Sequence, residues 1–393
     1  MNPTDPRTEH PTPAASPAVE ERHAGTAVHA SCDVLVVGAG PAGIAAAREA
    51  ARGGARVVVV ESAGLPRRKS CGGMLNEYAQ RFLAGVAELP SGLALEPEWI
   101  HFRYYDWDRR IKKPCSLRFR NVDRALFDEW LLDLLPANVE VWDRCSFSSC
   151  TQDKDGVSVR LTRAGAAVEL RCRWLVGADG ARSAVRRAHP AWPQTQCYKT
   201  VQEFVEIEPG SLEPFFDCVY SRRIAPAYGY GYIVPKGDVA IVGSVFFPGT
   251  KDIPPMHERA LETFRERYPL GASVRREAGV AIQVRSLDDV VAGSGRILMA
   301  GEAAGLMSPS SGEGISFALN SGRLAGDAVA QAHAAGDRED ARAALATYER
   351  SLVPMRKNIA RRLRFFPIMN SSWGKWLGGC MPTPLVSKVT EWL

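Results

Sequence analysis

Short apolar runs alternate with helical patterns along most of the chain. Positions 33–37 and 56–60 are apolar runs, and an alanine-rich segment typical of a helix lies between them. Two further short runs, at 174–176 and 297–300, are each followed by a glycine-containing turn. Runs of this length, bounded by glycine and separated by a helix, are typical of buried parallel strands. The pattern predicts an α/β fold with a Rossmann-like unit at its centre.

The composition is that of an ordinary globular protein. The chain has 393 residues, of which 46% are hydrophobic and 24% are charged, so two or three domains with a sizeable core are expected. The net charge of +5 is small for this length and gives no sign of a nucleic-acid partner. Nine cysteines without a C-x-x-C pair predict reduced thiols in a cytoplasmic protein. No apolar run is long enough to cross a membrane.

Residues 1–30 differ in composition from the rest of the chain. They hold five prolines with alanine, threonine and glutamate, and they lack the charged and apolar regions of a signal peptide. This composition predicts a disordered leader. Three of the seven histidines lie within it, so neither a histidine-based catalytic triad nor a metal site is expected.

A G-x-G-x-x-G motif follows the first apolar run and opens the alanine-rich helix. Gly38 permits a tight turn, Gly40 lets a pyrophosphate reach the backbone, and Gly43 lets the helix pack closely on the strand. Glu61 follows 18 residues after Gly43, where its carboxylate can accept hydrogen bonds from both ribose hydroxyls. The alternative is a strand–helix turn without a ligand. The nucleotide-binding candidates are Gly38, Gly40, Pro41, Ala42, Gly43, Glu61 and Ser62.

Two later turns extend this candidate site. The run at 174–176 leads into Gly-Ala-Asp-Gly at 177–180, and the run at 297–300 leads into Gly-Glu at 301–302. The segment "SPSSGEGISFALNSG" at 308–322 then places many small residues before a helix. Small residues let a backbone lie against a large planar group, and a capped helix start is the alternative. Three such turns can line the long trough that an extended FAD needs.

Together these motifs resemble the FAD-dependent oxidoreductases related to para-hydroxybenzoate hydroxylase, in particular their geranylgeranyl reductase branch. The resemblance runs from about residue 32 to 366, and "PRRKSCGG" at 66–73 matches the P-x-x-K-x-C-G-G pattern of that branch. It implies that the glycine-rich loop lies along the isoalloxazine edge, with the next helix directed at flavin N1 and C2. The cofactor-binding residues that it implies are Cys71, Gly72, Gly73, Arg124, Asp179, Gly180, Gly301, Glu302, Pro309, Gly312, Glu313, Gly314 and Ile315.

The resemblance also implies a substrate-pocket wall. Tyr228, Tyr230 and Tyr232 alternate with glycines, so they share one face of a strand, and a packed aromatic face is the alternative. The family reads Y-x-W-x-F-P-K where this chain has Tyr-x-Tyr-x-Val-Pro-Lys at 230–236, which alters the wall expected for a long-chain isoprenoid. The residues implied at the catalytic centre are Cys71, Gly312, Tyr230 and Tyr232.

Two of these implied assignments have alternatives, and a third residue differs from the one that many family members carry. Cys71 is expected to line the flavin and substrate cavity, with a small buried apolar side chain as the alternative. Arg124 is expected to contact FAD, with a surface arginine at a helix start as the alternative. Asp123 is the expected N-cap of that helix. At Glu302, which is expected to bind the ribityl chain or the flavin-side ribose, many family members carry Asp.

The predicted fold class is α/β (α+β overall), with a Rossmann-like FAD-binding domain, a mixed β-sheet substrate domain and C-terminal helices. The predicted FAD-binding domain is discontinuous and comprises residues 31–96, 115–196 and 285–350. Alternating patterns assign 97–114 and 197–284 to the substrate domain. Residues 351–393 form the predicted helical tail, in which a basic segment at 355–364 precedes several tryptophans. Packing on the substrate domain and weak contact with a membrane surface are the two interpretations of this tail.

The function implied is reduction or dehydrogenation of carbon–carbon bonds in an apolar, isoprenoid-like or natural-product substrate by hydride transfer through flavin N5. The alternative is a monooxygenase or halogenase that uses a flavin hydroperoxide. The hydroxylase branch reads G-D-A-A-H at the third motif, whereas this chain has Gly-Glu-Ala-Ala-Gly at 301–305. A third alternative keeps FAD without net redox chemistry, as some lycopene cyclases do. Because no second G-x-G-x-x-G is visible, NAD(P)H or a protein electron carrier is expected to bind only transiently.

Overall fold

The computed structural model describes residues 28–224, 229–335, 341–371, 373–374, 377 and 380–392. Two eight-stranded sheets dominate this part of the chain, which confirms the predicted α/β fold. The first sheet contains β1 (Val28–Val37), β2 (Val57–Val60), β6 (Val139–Trp142), β7 (Cys145–Gln152), β8 (Val157–Arg163), β9 (Ala166–Gly177), β15 (Gly293–Ser294) and β16 (Ile297–Met299). The second contains β3 (Met74–Leu75), β4 (Ala94–Asp106), β5 (Ile111–Val122), β10 (Gln196–Glu206), β11 (Phe215–Tyr220), β12 (Gly229–Lys236), β13 (Val239–Phe246) and β14 (Ser273–Gln283).

Helices connect and cover these sheets. They are α1 (Pro41–Arg52), α2 (Glu77–Ala84), α3 (Arg124–Asp133), α4 (Ala184–Ala188), α5 (Ile253–Arg265), α6 (Ile315–Ala335), α7 (Ala341–Asn370) and α8 (Thr383–Trp392). Short 3-10 turns at Ser91–Leu93, Gly180–Arg182, Leu287–Asp289 and Gly301–Ala304 complete the regular structure.

The first sheet is parallel at its centre, in the order β16-β9-β1-β2-β6. All four valines of β2 are buried, as expected for a parallel strand that is covered on both faces. The carboxyl ends of β1, β9 and β16 lie side by side, so the turns that follow them share one edge of the sheet. The sequence motifs are therefore gathered at a single edge.

The expected leader was drawn three residues too long. Strand β1 begins at Val28, and residues 28–30 pair with residues 168–170 of β9. The remainder of the expected leader, residues 1–27, lies outside the described residues. The sequence did not reveal this extension because the pairing partner is 140 residues away in the chain (168 against 28).

Helix α1 packs against α6 through backbone contacts that only glycine allows. A Cβ atom at Gly322 of α6 would lie 2.1 Å from the Ala42 oxygen, and one at Gly326 would lie 2.5 Å from the Ala46 oxygen. A Cβ atom at Gly43 of α1 would lie 1.8 Å from the Gly38 oxygen. These contacts place the first turn of α1 directly against both β1 and α6.

The second sheet is mostly antiparallel, with the order β14-β10-β13-β12-β11-β4-β5-β3. Helix α5 covers one face, where Ala260, Leu261 and Phe264 join the buried cluster of the sheet. The other face carries Tyr232 with Ile100 and Val245. The domain boundaries drawn at 96/97 and 114/115 fall inside β4 and β5, because these two strands pair as one hairpin from Ala94 to Val122.

The C-terminal helices lie against both sheets. The boundary drawn at 350/351 falls inside α7, where Tyr348 donates a hydrogen bond to the Met299 oxygen over 2.7 Å. Near α8, Lys113 of β5 donates to the Met381 oxygen over 3.0 Å. The first interpretation of the tail, packing on the substrate domain, is therefore observed for this end of the chain. Within the described residues, no helix has the length and apolar character needed to cross a membrane.

The contact between α1 and α6 yields a stability prediction. We expect Gly322→Ala to destabilise the protein by about 1–3 kcal/mol, because the added methyl group meets the Ala42 carbonyl and the helices must separate. Gly92→Ala is the matched control, since a Cβ atom there meets nothing within 4 Å. Thermal melting should show a lower Tm for Gly322→Ala alone. Equal melting temperatures for the two variants would contradict the packing described here.

Candidate flavin and substrate site

The first turn of α1 presents an open backbone surface. Gly38 has φ +105°, and a Cβ atom there would lie 2.5 Å from the Ala178 oxygen, so glycine is required for the turn. A Cβ atom at Gly40 would meet only the Arg67 guanidinium, at 3.5 Å. Pro41 occupies the first helical position, where its missing N–H costs nothing. The helix N-terminus is therefore free to face a phosphate group.

Glu61 lies beside this turn and is 7% exposed. Its carboxylate accepts hydrogen bonds from the Ala39 and Ala63 backbone N–H groups, from the Ser62 hydroxyl and from Arg67 Nε, over 3.0–3.2 Å. Burial alone would raise the pKa of Glu61, but Arg67 and the backbone donors outweigh it and hold this pKa below its usual value. Two of these four donors, Ser62 and Arg67, are side chains, so they are the ones that a ribose hydroxyl could replace on the carboxylate.

The Arg124 side chain, at the start of α3, is 9% exposed and is paired with Asp128, so it is not a free surface arginine. Its guanidinium donates two hydrogen bonds to the Asp128 carboxylate, over 2.7 and 3.2 Å. Burial alone would lower the pKa of Arg124, but the charge of Asp128 and the nearby Cys71 thiol raise it. Asp123 accepts from the Ala125 and Leu126 N–H groups, which confirms the predicted N-cap. This helix start therefore presents a fixed cation beside Cys71.

The second and third turns meet around Lys69. Asp179 Oδ2 accepts from the Ala184 N–H over 2.6 Å, while Oδ1 is buried without a hydrogen-bond partner in the described residues. Desolvation raises the pKa of Asp179. A Cβ atom at Gly180 would lie 3.9 Å both from Glu302 Oε2 and from Lys69 Nζ. Glu302 itself is 3.5 Å from Lys69, so all three segments converge on one point.

The glycine-rich loop is tightly hydrogen-bonded and leaves a gap on one side. The Gly312 N–H donates to the Ser308 oxygen over 3.0 Å, and Gly312 has φ +67°. A Cβ atom at Gly312 would meet only the Tyr230 hydroxyl, at 4.0 Å. Pro309 and Gly314 lie in the same loop. Ile315 begins α6. Gly301, which has a left-handed backbone, packs on the same helix, where its Cβ atom would lie 3.5 Å from Ala318.

Arg362 of α7 supports this loop and was missed by the sequence analysis. Its Nη1 donates to the Ser308 and Ser310 hydroxyls, each over 3.1 Å, and its Nε donates to Asn358 over 2.7 Å. The only signal was the basic segment at 355–364, which also suits a solvated helix face. The contact between α7 and a loop about 50 residues earlier in the chain leaves no pattern in the local sequence.

The tyrosine strand forms part of the wall opposite the loop. Tyr230 and Tyr232 share one face of β12, while Tyr228 lies outside the described residues. The Tyr232 ring packs closely on Gly243, where a Cβ atom would be 2.0 Å from the ring. Its hydroxyl accepts from Gln202 over 2.6 Å, and the Gln202 oxygen accepts from Ser70 over 2.8 Å. Burial raises the pKa of both tyrosines, which keeps the phenols protonated.

The Cys-Gly-Gly turn borders a cavity of about 270 Å³. Buried Lys236 donates to the Gly73 and Val122 oxygens over 3.1 and 3.2 Å, and also to the Asn121 side chain. Burial lowers the pKa of Lys236 to about 7. Half-buried Cys71 lies on the same cavity wall. The other lining residues are apolar or charged in equal number. The apolar ones are Leu95, Val122, Ala125, Phe204, Val239, Ile241 and Val274, and the charged ones are Arg68, Lys69, Asp123, Arg124, Asp238, Arg275 and Glu277.

These residues fit an FAD molecule. The open backbone at Gly40 suits a pyrophosphate, the anion of Glu61 suits a ribose, and the unpartnered Asp179 oxygen is available to a hydroxyl donor. The open side of the loop at Gly312, where a Cβ atom meets only the Tyr230 hydroxyl, is compatible with a planar ring that lies along the loop. Gly72 needs no special contact, since a Cβ atom there would meet only Met74, at 3.4 Å. No group of three metal-ligating side chains occurs in the part of the chain that the structure describes.

Comparison with known proteins agrees with this geometry. The chain is 30% identical over 307 residues to "Protein CbrA" from Escherichia coli O9:H4 (strain HS), an alignment that covers 74% of this chain and 80% of that protein. This chain belongs to the CbrA family. Residues 31–209 also match the model of the "FAD binding domain" family. These matches confirm FAD as the cofactor and the predicted class of FAD-dependent oxidoreductase.

Several solved structures share the fold of this chain at low sequence identity. A geranylgeranyl bacteriochlorophyll reductase-like protein from Thermoplasma acidophilum has a TM-score of 0.73 at 20% identity, covering 92% of this chain and 91% of that one. The myxobacterial chondrochloren halogenase CndH has a TM-score of 0.68 at 20% identity, covering 88% and 84%. PqsL, a probable FAD-dependent monooxygenase from Pseudomonas aeruginosa, has a TM-score of 0.64 at 20% identity, covering 89% and 99%. These likenesses establish the fold.

The gap at Gly312 yields a prediction for flavin binding. We expect Gly312→Val to abolish flavin binding or flavin reduction while the protein still folds, because the branched side chain fills the gap and disfavours φ +67°. Gly210→Val is the matched control, with φ +80° and nothing within 4 Å of its Cβ position. Flavin absorbance after purification and dithionite titration measure both variants. A Gly312→Val protein with normal flavin and normal reduction would contradict this placement of the ring.

Proposed function

We propose that the protein reduces a carbon–carbon double bond of an apolar, isoprenoid-like or natural-product substrate. The observation that carries this proposal is the cavity beside the Cys-Gly-Gly turn, whose wall of apolar and charged side chains also holds Cys71 and Lys236. Reduction of a double bond requires a hydride at one carbon and a proton at the other. An amine whose pKa is about 7 suits the proton step near neutral pH, because a general acid works best close to the operating pH.

Different residues of this chain have separate roles in the proposed reaction. Glu61 and the first turn of α1 hold the nucleotide half of FAD, and Glu302 with Lys69 lies where the ribityl chain would pass. When bound, FAD supplies the hydride chemistry. Phe204 and Ile241 of the second sheet line the cavity, and Tyr232 of the same sheet is fixed by its hydrogen bond from Gln202. The Cys71 thiol or the Lys236 amine then supplies a proton to the second carbon and regains it from solvent.

The electron donor proposed is NAD(P)H or a protein carrier that binds only during transfer. The family resemblance implies that such a donor approaches the flavin near the turn at 177–180. We also propose that the C-terminal helices make weak contact with a membrane surface. Ile368 and Trp373 support this contact, since they are 51% and 62% exposed and follow the basic segment at 355–364.

Oxygen chemistry is the second candidate, favoured by the fold shared with a halogenase and a monooxygenase. Against a hydroxylase, position 305 holds a glycine with φ +78°, and a Cβ atom there would lie 2.2 Å from the Asp289 oxygen. The backbone at this position excludes the histidine that the hydroxylase branch carries. The third candidate, FAD without net redox chemistry, predicts that the bound flavin is not reduced by a nicotinamide donor during turnover.

A product and rate measurement separates these functions. Reduced holoenzyme, mixed without oxygen with apolar alkenes, should reoxidise its flavin and yield a product with two added hydrogens. Either Cys71→Ala or Lys236→Met, whichever removes the proton donor, should slow this step at least roughly tenfold, within the range of general acid catalysis. Flavin reduction by the donor should stay within about threefold of wild type, because a general acid acts only on the substrate step. Cys150→Ala, which changes a half-buried thiol in β7, is the control.

Two results would contradict the reductase proposal. One is a product that contains added oxygen or halogen and forms only when oxygen is present. The other is a Cys71→Ala enzyme with the same flavin reoxidation rate as wild type, together with a Lys236→Met enzyme that is equally unaffected. Product mass, measured with and without isotopically labelled oxygen, distinguishes the two kinds of chemistry directly.

A further inference from the structure

A second cavity, of about 390 Å³, lies toward the amino end of β1 in the first sheet. Ser31 and Cys32 of β1 line it, whereas the turn that suits a pyrophosphate follows the other end of β1, at Gly38. The extended chain from Cys32 to Gly38 spans about 20 Å at about 3.3 Å per residue. Small-molecule sites have volumes of roughly 300–1,000 Å³. This cavity is therefore separate from the FAD trough and large enough for a small ligand.

The cavity forms where β9 changes its neighbour in the first sheet. On the side away from β1, β9 pairs with β8 as far as Cys172 and with β16 from Leu175 onward. Residues 173–174 lie between these two pairings. The turn between β7 and β8 and the residue before β16 flank this break, and they are tied together because Arg296 Nε and Nη2 donate to the Lys154 oxygen over 3.2 and 2.7 Å. The walls of the cavity are thus held by the sheet itself.

The lining of this cavity carries an excess of positive charge. Four of its side chains are cations and one is an acid: Lys154, Arg171, Arg173 and Arg296 against Asp155. The other lining residues are Ser31, Cys32 and Cys172. Burial raises the pKa of Cys32 to about 12 and that of Cys172 well above its usual value, so neither thiol adds a negative charge near neutral pH. The cavity therefore favours an anion.

Two of these cations are not compensated by a carboxylate of the protein. Arg171 pairs with Asp153 over 2.6 Å. Lys154 and Arg296, in contrast, take part in no ion pair in the part of the chain that the structure describes. Nη1 of Arg296 is also buried without a hydrogen-bond partner there, and the guanidinium lies 5.2 Å from the centre of the Trp174 ring. Because like charges repel at short range, an anion between these cations would stabilise the arrangement.

The side chains of β1 and β9 supply a second group of donors. Ser31 and Arg171 are register partners in these neighbouring strands, and Arg173 follows two positions later, so all three side chains leave the same face of the sheet. Guanidinium groups bind phosphate oxygens through pairs of parallel N–H bonds. One group of cations therefore comes from β9, and the other comes from the segments that flank the break.

We propose that this cavity binds the diphosphate group of a small, water-soluble molecule. A diphosphate places two charged groups side by side, so one can contact the arginines of β9 while the other contacts Lys154 and Arg296. The Ser31 hydroxyl supplies a neutral donor beside Arg171. This site lies outside the FAD trough, and the inference does not depend on the reaction proposed for the flavin.

The test is equilibrium dialysis of FAD-saturated holoenzyme against labelled inorganic pyrophosphate in a phosphate-free buffer. Saturation with FAD keeps pyrophosphate away from the turn at Gly40. Wild type should bind one pyrophosphate per chain, with an affinity that falls as the salt concentration rises. Arg296→Gln and Lys154→Glu should each weaken binding at least roughly tenfold, since each removes a charge-assisted contact. Arg160→Gln should keep wild-type affinity, because Arg160 of β8 pairs with Glu169 over 3.4 Å and does not line the cavity.

Four results would overturn the inference. The first is the absence of saturable pyrophosphate binding, and the second is wild-type affinity in both cavity variants. The third is binding that appears only after FAD is removed, because pyrophosphate then occupies the turn at Gly40. The fourth is equal displacement of pyrophosphate by sodium sulfate at the same ionic strength, which shows attraction by charge alone. If thermal melting shows that Arg296→Gln does not fold, Lys154→Glu decides, because it leaves the backbone oxygen that Arg296 binds in place.

Discussion

The close contact of the α1 N-terminus with β1, with the turn after β9 and with α6 is the constraint on which the site depends. Gly38 lies where a Cβ atom would strike the Ala178 oxygen, and Gly43 where one would strike the Gly38 oxygen. Gly322 closes the same contact from the α6 side. These backbone-to-backbone approaches bring the turns after three neighbouring parallel strands to one edge of the first sheet. The trough exists because those turns cannot move apart without losing this packing.

The second sheet completes the site through a small number of polar links. Lys236 and Asn121 hold the Cys-Gly-Gly turn on the second sheet, and Ser70, just before that turn, donates to Gln202. Gln202 in turn fixes the Tyr232 hydroxyl. The Cys-Gly-Gly turn is thus anchored to the second sheet, which also lines the cavity beside it. A shift of the second sheet relative to the first would alter the position of both Cys71 and the tyrosine ring.

Local patterns in the sequence predicted the parts of the site that depend on local geometry. The glycine motif, the acid at Glu61 and the cap at Asp123 are visible because each needs a particular residue at a fixed spacing. Long-range partners were not visible. Arg67 on Glu61, Gln202 on Tyr232 and Arg362 on the loop are ordinary polar residues whose roles arise only from the fold.

The domain boundaries and the charge at the N-terminus of α6 could not be predicted from local sequence patterns either. The β4–β5 hairpin belongs to the second sheet along its whole length, although its apolar pattern does not change where the sheets meet. Likewise, the glycine-rich loop was expected to leave a positive helix end, whereas Glu313 folds back onto it. In both cases the outcome is decided by hydrogen bonds whose partners the local pattern does not specify.

The central claim is that Glu61 binds the ribose of the nucleotide half of FAD. The most direct test is to compare the affinities of apoprotein for FAD and for FMN, which lacks that half, in wild type and in Glu61→Gln. Hydrogen bonds to a charged group contribute about 1.5–3 kcal/mol each, so Glu61→Gln should weaken FAD binding at least roughly tenfold. Its FMN affinity should equal that of wild type. Unchanged FAD affinity in Glu61→Gln, or an equal loss for FAD and FMN, would contradict the account.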